Sequence, residues 1–136
     1  MVHLSPSPCL MRVKKLQDAG YITGYSAQID LKRLGESLIV FTEVPLKTHR
    51  QIDFAQAQSA FEKIDNCIEC HLISGGYDYL LKFVTSGVVD YQEIMERLIS
   101  SNAGIDKYFS YVVIKSPFVK THLPLKVLYP DYASTT

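Results

Sequence analysis

Cys67-Ile68-Glu69-Cys70-His71 has the CxxCH spacing that attaches haem covalently, and a CxxC pair by itself can hold zinc or carry out thiol–disulfide chemistry. Haem attachment of this type belongs to exported proteins, and the N-terminal residues lack the charged start and apolar stretch of a signal peptide. If residues 67–74 form a strand, alternation sends positions 67 and 70 to opposite faces, about 10 Å apart along the chain. That separation exceeds the reach of a disulfide, and no second cysteine pair completes a zinc site. The expectation is therefore a strand without metal, and no cofactor. His3, His49, His71 and His122 are scattered, and no paired carboxylates share one expected face, so no catalytic residue is assigned and the chain is expected not to be an enzyme. The segment Ser74-Gly75-Gly76-Tyr77-Asp78-Tyr79 offers more. Two glycines permit a tight turn whose backbone N–H groups can receive a carboxylate, and Asp78 can answer an ammonium group. A third candidate is the run Arg12, Lys14 and Lys15 behind Ser5-Pro6-Ser7-Pro8, because helix N-termini and clustered basic side chains make phosphate contacts.

These residues need elements to hold them. Ser5-Pro6-Ser7-Pro8 reads as a capped helix start, with Cys9 or Leu10, Val13 and Leu16 forming an apolar stripe and Gly20 at the left-handed end position. The spacing predicts a basic amphipathic helix of about 13 residues. Residues 21–30 read as a strand or an extended connector. Beyond residue 37 the expected elements are a strand over 38–46, a helix over 50–64, a hairpin with strands over 67–74 and 79–84, a helix over 88–101 and a strand over 106–115. This β-α-β-β-α-β order predicts an α+β, ferredoxin-like sandwich, with both helices on one face of a four-stranded antiparallel sheet. Apolar residues on the other face predict a homodimer. The expected organisation is residues 1–33 as helix and linker strand, 34–120 as the sandwich and 121–136 as a tail.

With 136 residues, 47% apolar and 21% charged, the chain is too apolar for a disordered segment and long enough for its own core. Its longest apolar runs are far shorter than a membrane span. Three cysteines, an odd number, suggest reduced thiols in a cytoplasm. The formal charge is zero, yet residues 1–33 carry five basic side chains against Asp18 and Asp30, while the rest holds nine basic and twelve acidic ones. A basic N-terminal piece is thus joined to an acidic body.

Taken together, Leu4 to Leu16, Ala19-Gly20-Tyr21-Ile22-Thr23-Gly24-Tyr25 and Cys70 to Lys82 resemble the Lrp/AsnC (feast/famine) family of prokaryotic transcription regulators over about residues 4–120. The first stretch resembles that family's recognition helix, the second the turn and connecting strand, the third the central hairpin of its effector-sensing domain. The resemblance implies a helix-turn-helix dimer that binds operator DNA, assembles into octamers or similar discs and responds to a small effector, usually an amino acid. It implies that Ser5, Ser7, Pro8, Arg12, Lys14 and Lys15 face DNA and that Gly75, Gly76, Tyr77, Asp78 and Tyr79 line or shape the effector site. Relatives carry two helices ahead of the recognition helix, so operator binding by this chain alone is expected to be weakened or lost. Gly76 stands where many relatives have an acidic residue, which implies a different ligand preference. The competing expectation is an amino-acid-binding oligomerisation module that acts through a full-length partner without touching DNA.

Overall fold

The computed structural model describes residues 7–74 and 78–133, the last two through their backbone only. The chain falls into two units that divide between Leu34 and Gly35. In the first, α1 (Pro8–Asp18) starts at Ser7, whose hydroxyl accepts the Leu10 N–H at 3.2 Å, with Pro8 in the first turn where no intrahelical bond is lost. The helix ends at Gly20, which adopts φ +85°. There the Tyr21 N–H reaches the Leu16 carbonyl at 2.9 Å and the Gly20 N–H reaches Gln17 at 3.1 Å, closing the last carbonyls. Of the two forms expected for residues 21–30, the extended connector is the one observed, since none of these residues joins a ladder. A short 3-10 turn, Leu31–Arg33, capped by Asp30, closes the unit.

The second unit carries β1 (Leu38–Pro45), α2 (Gln51–Glu62), β2 (Cys67–Ile73), β3 (Asp78–Thr85), α3 (Val88–Ser100) and β4 (Phe109–Val112). The sheet order is β2-β3-β1-β4 and every neighbouring pair is antiparallel, the ferredoxin-like arrangement anticipated from the element order. Strict alternation assigns the faces. Val40, Thr42 and Val44 of β1 and Tyr79, Leu81 and Phe83 of β3 are buried against Ala57 and Phe61 of α2 and Tyr91, Ile94, Met95 and Leu98 of α3. The Tyr91 hydroxyl shares 2.7 Å hydrogen bonds with both Thr42 and Ser110, so α3, β1 and β4 meet at one polar point inside an apolar core. Asp53, in the first turn of α2, accepts from the Arg50 backbone at 2.9 Å and from Thr48 Oγ1 at 2.6 Å. The Arg50 guanidinium, then Thr48, hold its carboxyl well below the usual carboxylate range.

Three expectations need revision. The last strand was placed over 106–115, but β4 has four residues. Its ladder covers only Val40 to Glu43, because Pro45 presents no N–H for residues further back and Tyr108 turns its ring toward Tyr91 instead. The tail, for which the sequence reading named no element, forms two short helices, α4 (Leu125–Leu128) and α5 (Pro130–Ala133). The third concerns the cysteines. In β2, Cys67 stands opposite Phe83 and Cys70 opposite Leu81, with Ile68 inserted as a bulge between Cys67 and Glu69. One extra residue reverses the alternation beyond it, so both cysteines lie on the helix-bearing face and not on opposite faces.

Candidate effector and nucleic-acid sites

The first two residues of β3 face different environments. Asp78 opens β3 on the uncovered sheet face, opposite Pro45, while Tyr79 points the other way into the core. Tyr79 is 1% exposed, packs its ring edge-on to Phe61 at 5.4 Å and takes a 2.7 Å hydrogen bond from Gln58 Nε2. Tyr79 thus belongs to the core, and Asp78 is the neighbour that lies on the uncovered face. Gly75, Gly76 and Tyr77, expected to line the same site, lie outside the described residues, as does Ser5 of the expected DNA face.

Two residues that the sequence reading passed over stand beside Asp78. Glu43 of β1 hydrogen-bonds to the Asp78 side chain, and that contact, with some burial and the repulsion of the second carboxylate, pushes the Glu43 carboxyl up. Tyr111 of β4 bonds to the same glutamate and opposes the shift. Two carboxyl groups thus stand side by side on this face. Only the register brings them together: 35 positions separate them in sequence, and no local motif marks the pair. Further along this face, Glu69 is held by His71 at 3.0 Å and Lys82 at 3.4 Å, and Lys82 lies 5.9 Å from the Phe41 ring centre. The His71 contact, followed by Lys82, lowers the Glu69 carboxyl. Around these groups Ile39, Phe41, Leu80, Ile73 and Val84 remain half-exposed, and Phe109 and Tyr111 are exposed, so the face is a broad apolar surface with a polar border.

On α1, helical geometry places Arg12 and Lys15 about 60° apart on one side. Lys14 lies roughly 100° round from Lys15, Leu16 only about 40° from Arg12, and Val13 about 100° from Arg12 on the side away from Lys15. All three cations are exposed. Ser7 is occupied as the helix cap and Pro8 holds the first turn, so both set the helix start while the cations extend from it. The Ser7 oxygen accepts from Leu10, and its O–H remains a donor beside the exposed cations.

Burial, with some repulsion from Cys70, pushes the Cys67 thiol up to about 11, and its Sγ–H donates weakly to the Glu69 carbonyl at 3.5 Å. Burial also raises Cys70. Protonated thiols of this kind are poor nucleophiles.

Residues 39–123 match the family described as the Lrp/AsnC ligand binding domain, and residues 1–23 match a winged helix-turn-helix DNA-binding family. The chain belongs to the Lrp/AsnC family. It is 36% identical over 125 residues to the leucine-responsive regulatory protein of Klebsiella pneumoniae, covering 92% of this chain and 76% of that protein. It is 38% identical over 115 residues to the proline dehydrogenase transcriptional activator of Rhizobium radiobacter, covering 85% and 74%. A solved transcriptional regulator–L-Met complex from Neisseria meningitidis superposes with a TM-score of 0.81 at 28% identity, covering 92% of this chain and 80% of that one. This Lrp/AsnC chain is therefore a transcriptional regulator with a ligand-binding domain, and its relatives form a non-enzymatic family. No helix among the described residues is long and apolar enough to cross a membrane.

Proposed function

We propose that this regulator binds a small amino acid at the turn between β2 and β3, that it dimerises and assembles further through its sheet, and that α1 carries the contact with operator DNA. The observation that carries this reading is the continuity of β3. Asp78, at its first position, is the side chain able to meet an ammonium group, and Leu80 and Val84 of the same strand lie in the uncovered apolar face. A ligand bound at the turn therefore acts on the strand that presents the assembly surface, and it shifts the oligomer only through its differential affinity for the two arrangements. The L-Met in the Neisseria meningitidis structure supports an amino-acid effector. In the turn, backbone N–H groups of Gly75 and Gly76 would take the carboxylate, Asp78 the ammonium group, and Tyr77 would shape a wall, while the buried Tyr79 anchors the strand behind them. On α1, Arg12, Lys14 and Lys15 would take phosphates, with Ser5, Ser7 and Pro8 at the helix start.

A thermal-shift panel of the common amino acids tests the reading directly. A ligand at 100 times its Kd adds about 2.7 kcal/mol, which for a domain of this size is a rise on the order of 10 °C. One or a few amino acids should give that rise, Asp78→Ala should abolish it, and the same ligand should change the mass measured by light scattering. A flat panel across all common amino acids would overturn the effector assignment.

A further inference from the structure

Cys67 and Cys70 fit one another's position in a way that the CxxC spacing alone denies. The Ile68 bulge sets both thiols on the same face of β2, opposite Phe83 and Leu81, and both line one open cavity of about 450 Å³ between β2 and the last turns of α2. Phe61, Leu72 and Tyr79 supply apolar walls, and Gln58 and Glu62 stand at its helix side. The two thiols are the soft donors of that cavity.

We propose that Cys67 and Cys70 form a two-coordinate site for a soft monovalent cation of the Cu(I) class. Partners opposite residues two apart on β3 place the cysteine Cα atoms at least about 6.6–6.8 Å apart, at or beyond the roughly 4.4–6.8 Å that disulfides span. Closing a disulfide would therefore require the backbone to move. An ion between the sulfurs relieves this, because two bonds of about 2.3 Å allow sulfurs some 4–5 Å apart. Zinc needs four ligands, and among the described residues no group of three or more His, Cys, Asp or Glu side chains is placed to hold a metal. A two-thiolate set matches an ion content with two soft ligands. On binding, each S–H bond is replaced by a sulfur–metal bond, and two protons leave to solvent for each ion bound. No oxidation of sulfur is involved. Occupancy would tie the two sides of the bulge together in the strand that leads to the effector turn. The site stands apart from Asp78, and the proposal holds or fails independently of the amino-acid reading.

The test is competition for Cu(I), in the presence of ascorbate, between the reduced full chain and a chromophoric Cu(I) chelator. One Cu(I) per chain should be withdrawn from the chelator. Cys67→Ser and Cys70→Ser should each weaken uptake at least tenfold, whereas Cys9→Ser should leave it unchanged. The double variant Cys70→Ser/His71→Cys keeps the number of thiols in β2 but moves one to the opposite face, and it should also lose uptake. Circular dichroism checks that each variant is folded. Uptake retained by the face-swapped variant, or lost equally in Cys9→Ser, would overturn the proposal, as would no uptake by the unaltered chain. Ready formation of a Cys67–Cys70 disulfide with glutathione disulfide, seen as a mass loss of two hydrogens, would overturn the spacing argument on which it rests.

Discussion

Tyr91 shows how much a single hydroxyl can hold. Its oxygen serves Thr42, which is fully buried, and Ser110 at once. Tyr91→Phe leaves the Thr42 hydroxyl in the core without that partner, and the expected cost is about 1–3 kcal/mol, read as a drop in Tm with little change in oligomer mass. Two carboxylates should respond to pH with opposite signs. Asp53 is depressed, so its contribution is present above the ordinary aspartate value near 4 and is lost as pH falls below it. Asp53→Asn should flatten the acid limb of a Tm–pH curve. Glu43 is raised by Asp78, so the folded state binds its proton more tightly than the unfolded chain. Stability from this pair is present in acid and declines as pH rises through the raised value. Glu43→Gln should remove that decline, and a decline that persists in the variant would contradict the pairing.

At the level of elements, the uncovered sheet face is the feature with the largest consequence. Ile39 and Val84 stand opposite one another on its two middle strands, near one end of their ladder, both half-exposed. Val84→Asp puts a charge where a second copy would have to exclude water, and light scattering should report the loss of the dimer while circular dichroism stays that of a folded chain. The helices and the three longer strands were legible because their apolar residues recur at 3.6 or 2 along the sequence, as Tyr91, Ile94, Met95 and Leu98 do in α3. The length of β4 was not, because its ends are set by where β1 offers partners, and the Pro45 that limits it lies more than sixty positions away in sequence. The Ile68 bulge was hidden for a related reason. Nothing in Cys67-Ile68-Glu69-Cys70 announces an extra residue, since a bulge exists only relative to the opposing strand. Of the candidate site, Asp78 and the cations of α1 are expectations from the sequence, whereas Glu43 comes to Asp78, and Tyr111 to Glu43, through strand register alone.

For the whole molecule, the uneven charge matters more than its zero sum. The basic side chains of α1 sit in a segment with only two acidic residues, and the remainder of the chain is net acidic and would be repelled by a nucleic acid. Arg12→Ala with Lys15→Ala should lower affinity for duplex DNA about equally across sequences and reduce the slope of log K against log salt by about 1–2. An unchanged slope would remove these two side chains from the contact. The bulge at Ile68 also decides how the protein behaves in company. β2 is one edge of the sheet, and an uninterrupted edge is a row of open backbone groups on which a foreign strand can grow. The extra residue breaks that row, and the other edge, β4, is only four residues long. Deleting Ile68 would restore an unbroken ladder along CECHLI, and the chain would become a template for its own fibrils.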